Sequence, residues 1–133
     1  MNGEKLIRTT LAASFLFNLV AAYMLAFPTS YLAGLAGFTI SNSPMHTALA
    51  TLMVVALGGS YGWMALQEKI NLPILTFGAL VKGSAFITFF VQWMFDAVSA
   101  RLVAFAVVDI VLAWLWLNWV IKQHSAPPKS KRF

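Results

Sequence analysis

The chain has 133 residues, of which 60% are hydrophobic and only 10% charged, with a mean hydropathy of +0.79. Soluble domains run at ~45–50% apolar and ~25% charged, so this composition belongs to a membrane-embedded chain. The lack of cysteine excludes disulfides, thiolate nucleophiles and Cys-based metal or iron–sulfur sites. The net charge of +5 comes from basic residues at the ends of apolar runs, a positive-inside pattern that argues against nucleic acid as a partner.

Residues 9–27 form the first predicted span, preceded by Lys5 and Arg8 and stopped by Phe27-Pro28, because proline cannot continue the helical ladder. This run exceeds the ~7–15 residues of a signal-peptide core, so it is expected to be retained. Asn18 lies near its middle. Its neighbours at helical spacing, Ser14, Phe15, Ala21 and Ala22, make a small and mildly polar face suited to packing on another helix. Residues 29–44 carry no charge and are too apolar for a free loop. Tyr31, Leu32, Leu35, Phe38 and Ile40 suit a short interfacial helix or re-entrant segment capping the bundle, although two glycines weaken any helix there.

Residues 45–66 are the second predicted span, in which Gly58 and Gly62 form a GxxxG step that favours close helix approach. Tyr61 is expected either to hydrogen-bond Lys82 or to anchor at the membrane interface, the second being favoured. After a polar turn at 67–72, the third span runs from Pro73 to Phe95 with Lys82 on a face of Leu75, Gly78, Ala79, Ala85, Phe86, Phe89 and Trp93. The fourth, 102–121, places Leu102, Phe105, Ala106, Asp109, Leu112, Ala113 and Trp116 on one face. Trp114, Trp116 and Trp119 resemble an aromatic belt near its end. Residues 122–133 read as a basic tail beside anionic headgroups.

The expected fold class is therefore all-α: a membrane-embedded four-helix bundle, up-down, with an apolar capping segment between helices 1 and 2, forming one domain over 1–121. That leaves no room for a separate soluble catalytic domain. Lys5, Arg8, Lys69, Lys122, Lys129, Lys131 and Arg132 fall on one side and only Arg101 on the other, which predicts both termini in the cytoplasm.

Phe77 to Trp119 holds the candidate site. A charge at bilayer depth costs at least ~2.5–3.5 kcal/mol on insertion scales, so Lys82 and Asp109 each need a partner or a wet cavity. At 1.5 Å per residue Lys82 lies ~13 Å from one surface and Asp109 ~12 Å from the other, within reach of each other in a ~30 Å layer. The candidate polar centre is thus Lys82, Asp109, Asn18 and Tyr61. It can be a structural pair that fixes helix register, a binding or transport site for a small polar molecule or proton, or a redox or enzymatic site.

The residues for the last are missing. His46 and His124 lie outside membrane depth, and there is no HExxH, no paired-carboxylate set, no Ser/His/Asp arrangement and no phosphate loop. A Schiff base at Lys82 is disfavoured by an aspartate that holds the amine protonated. The expected protein has no catalytic chemistry, cofactor or metal of its own. Its expected partners are the lipid bilayer and either a larger membrane complex, a second copy or a small hydrophobic or polar ligand.

Five features, Phe27-Pro28, the apolar capping segment, GGSYGWMA at 58–65, LVKG at 80–83 and VVDIVLAWLW at 107–116, together resemble small bacterial inner-membrane proteins of four helices. The chain is loosely similar to DoxX-like proteins, which share that size and topology. The resemblance implies a bacterial inner membrane and, as an alternative role, a minimal transporter or a proton- or quinone-linked subunit of an oxidoreductase complex.

Overall fold

The computed structural model describes residues 3–38 and 43–125. Its regular structure is wholly helical: α1 (Gly3–Ala26), α2 (Tyr31–Ala36), α3 (Pro44–Leu66), α4 (Leu72–Met94) and α5 (Ala100–Ser125). The four long helices have 24, 23, 23 and 26 residues. At 1.5 Å per residue even the shortest reaches ~34 Å, enough to cross a ~30 Å hydrocarbon layer. Between 17% and 28% of the most apolar window of each is buried inside the protein, so the larger part of their apolar surface faces outward. Water is a poor solvent for such a surface, and lipid is a good one. The protein is a membrane-embedded bundle of four spanning helices with a short fifth helix at one end.

Local chemistry sets the helix ends. Ser30 caps α2 by accepting from the Ala33 amide at 3.2 Å. Gly37 closes it at φ 85, and the Phe38 N–H donates back to the Ala33 carbonyl at 2.9 Å, a left-handed termination that glycine adopts without strain. Residues 31–36 are therefore helical, as one of the two expected forms of the capping segment requires; Ile40 lies outside the described residues. Ser43 with Pro44 starts α3, and Asn71 with Pro73 starts α4, its side chain accepting from the Ile74 amide at 3.0 Å.

Two ends differ from expectation. α1 begins at Gly3, several residues before the apolar run, so Lys5 and Arg8 belong to the helix. α5 continues to Ser125, taking in residues expected to be tail, because no proline or glycine interrupts it and Lys122 and His124 suit the negative end of a helix. The remainder of that tail, 126–133, lies outside the described residues.

Arg8 does more than carry a loop charge. Its guanidinium donates to the carbonyls of Ala65 at 3.0 Å, Gln67, and Glu68 at 2.9 Å, and it pairs with Glu4 at 3.1 Å. The first two are carbonyls left open at the end of α3, whose last turn contains no basic residue of its own, and the third belongs to the turn that follows. Arg8→Met is expected to destabilise the bundle by about 1–2 kcal/mol, the upper range for a cation at a partly buried helix C-terminus. Arg8→Lys should recover less than half, since a single ammonium cannot reproduce the planar fork. Thermal unfolding in detergent would check both.

The bundle is two helix pairs. α1 packs along α3 and α4 along α5, while α1 and α5 touch more lightly and α2 lies against α5 and α1. Small residues make the α1–α3 seam: a Cβ on Gly58 would lie 2.7 Å from Asn18 Cβ, and one on Gly62 would lie 3.1 Å from the Phe15 ring. Gly3 sits beside Trp119, so the described ends of the chain share one end of the bundle, here the terminal end. The other, carrying α2 and the α4–α5 turn, is the capped end.

Burial along α3 and α4 differs between these ends. The core of Ile7, Leu11, Tyr61, Met64, Leu75, Ala79, Leu112, Ala113 and Trp116 fills the terminal half. α3 has no buried residue before Gly58, and α4 has none after Lys82. α3 and α4 thus bury side chains only toward the termini, while at the capped end Ala22 and Met24 of α1, Ala33 of α2 and Leu102 and Ala106 of α5 are the buried residues. Trp116 is fully buried and donates from Nε1 to Thr10 Oγ1 at 3.0 Å, so it belongs to the core rather than to a belt; Trp114 is 64% exposed.

Candidate functional site

Lys82 and Asp109 meet where the tight half ends. Each is brought there by a helix that starts at the opposite end of the bundle, α4 from the terminal end and α5 from the capped end. The Lys82 Nζ donates to Asp109 Oδ1 at 2.8 Å, with side chains 4% and 14% exposed. Neither charge has bulk water to stabilise it, so the pair and its surroundings must do so.

Asn18 completes the ammonium's oxygen contacts. Its Oδ1 lies 3.4 Å from Lys82 Nζ, while its Nδ2 donates to the Val54 carbonyl on α3 at 3.0 Å. The amide orientation is fixed by that second bond: the carbonyl oxygen faces the cation and the nitrogen faces a backbone acceptor. Asn18 therefore links α1 to α3 and to the ion pair at once. Gly58 makes this possible, since any side chain there would occupy the space of Asn18.

Tyr61 does not anchor at an interface. It is 1% exposed, with its ring against Gly78, where a Cβ would lie 2.8 Å from it. The Lys82 Nζ lies 4.9 Å from the centre of the Tyr61 ring, 5.5 Å from Phe17 and 5.9 Å from Trp116. Three π faces around one cation contribute attraction of about 0.5–2 kcal/mol each, more when desolvated. Tyr61 reaches Lys82 through its ring rather than through a hydrogen bond, and the physical reason is the socket left by Gly78.

All four sequence-derived site residues line one cavity of about 170 Å³ between the helix pairs. Its remaining wall is mostly apolar and aromatic: Phe17, Ala21, Val54, Ala85, Phe89 and Phe105, closed at the capped end by Phe38. Phe17 stacks on Phe105 at 4.6 Å, and Phe38 stands edge-on to Phe105 at 5.8 Å. Of the face expected around Lys82, Ala85 and Phe89 line the cavity. Phe86 instead stacks with Phe90, and Phe90 meets Trp93 at a tilt, on a largely exposed surface.

Phe17 and the Val54 carbonyl were not among the sequence-derived residues. Phe17 carried one signal, the spacing Phe17–Ala21–Leu25 beside Asn18, which sets an apolar stripe along one side of the amide. Backbone carbonyls carry none. His46 in the first turn of α3 and His124 in the last turn of α5 are exposed and remote from the centre. Among the described residues, no group of three or more His, Cys, Asp or Glu side chains stands together.

No family model, curated protein or solved structure matches the chain.

Proposed function

We propose that this is a small bacterial inner-membrane protein without catalytic chemistry of its own, which binds a small molecule at the Lys82–Asp109 centre. The observation that carries this reading is the cavity. A pair that only fixed helix register would be packed over by side chains, whereas this one forms the wall of a space of about 170 Å³. Intramembrane charges beside a cavity are the usual mark of a ligand or ion site.

The reading predicts that the protein, transferred from its native membrane into lipid nanodiscs, carries a small molecule detectable by native mass spectrometry. The Lys82→Met, Asp109→Leu double variant should carry none. Equal loading of both proteins would contradict binding at this centre. Orientation follows from charge: the terminal end holds Lys5, Arg8, Lys69 and Lys122, and the capped end holds Arg101. A cysteine at Ser130, in a chain otherwise free of cysteine, should resist labelling from outside intact cells; ready labelling would reverse the topology.

A second reading rests on a different observation. The capped-end halves of α3 and α4 contain no fully buried residue, so they offer apolar faces to another membrane protein as well as to lipid. The resemblance to DoxX-like proteins fits such an accessory role. Recovery of a stoichiometric larger complex in mild detergent would favour it over an independent binder.

A further inference from the structure

We propose that the cavity recognises a small neutral molecule with a hydroxyl group, of about the size of one substituted six-membered ring, through a hydrogen bond donated to Asp109. This rests on the binding reading above and adds which pole of the ion pair faces the ligand and what chemistry that pole accepts.

The two poles are not equally available. The ammonium is the enclosed one, at 4% exposure, with Asp109 Oδ1 at 2.8 Å, Asn18 Oδ1 at 3.4 Å and three aromatic rings within 6 Å. Its donors are directed at partners the protein already supplies. The carboxylate is the more exposed pole, at 14%, and takes its one hydrogen bond from a described residue at Oδ1. Asp109 Oδ2 has no hydrogen-bond donor among the described residues. A carboxylate holds about four acceptor sites, so the cavity wall offers acceptor capacity without a matching donor.

Charge balance then selects among donors. Lys82 and Asp109 together are neutral. An anion in the cavity would face a carboxylate, and a cation would sit beside a second buried cation; either would leave a net charge in a low-dielectric space. A neutral hydroxyl donates to Asp109 and leaves the balance unchanged. Asn18 is no competitor, because its amide nitrogen is turned to the Val54 carbonyl. It acts as a positioning residue that keeps Lys82 turned away from the ligand.

Size and shape narrow the rest. An apolar cavity of about 150 Å³ accommodates benzene, so about 170 Å³ suits one ring with a small substituent. Phe17, Phe38, Phe89 and Phe105 line it, and such rings favour offset or edge-on contact with an aromatic guest.

The test uses the full chain in lipid nanodiscs, with fluorine NMR of four probes corrected for partition into empty nanodiscs. The probes are para-fluorophenol, para-fluorotoluene, para-fluorobenzylamine and para-fluorobenzoate. The phenol should bind about ten- to a hundred-fold more tightly than the other three, the range for a hydrogen bond to a charged acceptor. Ala85→Phe, which takes up space in the cavity while leaving Lys82 and Asp109 themselves in place, should abolish that preference. Equal binding of phenol and toluene, lost in Ala85→Phe, would overturn recognition by Asp109 while leaving the cavity a binding site. Tighter binding of the benzoate would make Lys82 the recognising pole, and tighter binding of the amine would show that charge balance does not govern; each overturns the proposal. A phenol preference that survives Ala85→Phe would place the site elsewhere and overturn it as well. No binding of any probe above the empty-nanodisc level would overturn this inference, while a small molecule carried from the native membrane by the parent chain and not by the double variant would leave the binding reading standing.

Discussion

Asp109→Leu is expected to be the most destabilising of the changes considered, at about 3–5 kcal/mol, the loss that follows removal of one partner from a buried ion pair. The reason lies in what remains. Lone Lys82 is enclosed at 4% exposure, and the packed side chains of Tyr61, Leu75 and Trp116 fill the terminal half through which its ammonium would have to reach the surface. Asn18 and three aromatic rings still face it, but no anion does. Lys82→Met should fall at the lower end of the same range, because the remaining carboxylate is the more exposed partner, at 14%, and can take water or a proton. Unfolding in a single detergent, with both variants compared to the parent chain, gives the order directly. A larger loss for Lys82→Met would mean that the terminal half is wetter than its packing indicates.

Gly58→Ala and Gly59→Ala should move stability in opposite directions although the residues are neighbours. A Cβ on Gly58 would lie 2.7 Å from Asn18 Cβ, a separation that real Cβ contacts do not show, so α1 and α3 must part or Asn18 must turn. Overpacking of this kind costs about 1–3 kcal/mol. Here it should also loosen two bonds at the site, the Asn18 donation to the Val54 carbonyl and the contact with Lys82. A Cβ on Gly59 would meet nothing within 4 Å, so alanine there should be neutral or gain up to about 1 kcal/mol from helix propensity. The same unfolding measurement compares them. Equal effects would show that the GxxxG step has no packing role in the α1–α3 seam.

The centre of the bundle was legible in the sequence because charge is rare and costly in an apolar run. Lys82 and Asp109 stood out for that reason, and their heights on two antiparallel helices brought them within reach. Asn18 was legible by depth alone. What Tyr61 and Trp116 do was not, since an amphipathic ring suits a membrane interface and a buried core equally well. The choice between them depends on whether a facing helix leaves room, and Gly78 on α4 and Thr10 on α1 supply it.

Arg8 was hidden for a different reason. Its position ahead of the apolar run matched a topological charge, and nothing in a linear reading shows that α3 ends with unsatisfied carbonyls beside it. Gly37 shows how a local rule can mislead. Glycine weakens a helix in its interior, but one residue past the end it completes the helix, and α2 forms because of Gly37 rather than in spite of it. The cavity itself had no sequence signature, because its wall is assembled from residues of α1, α3, α4 and α5 that only the packing of the four helices brings together.

The polar centre depends on the pairing of Lys82 with Asp109, and a double-mutant cycle measures that pairing most directly. Unfolding free energies of the parent chain, Lys82→Met, Asp109→Leu and the double variant, in one detergent, give the interaction energy. The double variant is expected to recover most of the stability lost in Asp109→Leu, because two apolar side chains leave no uncompensated charge. Losses in the double variant that equal the sum of the single losses would contradict the account, since two residues that do not interact destabilise independently.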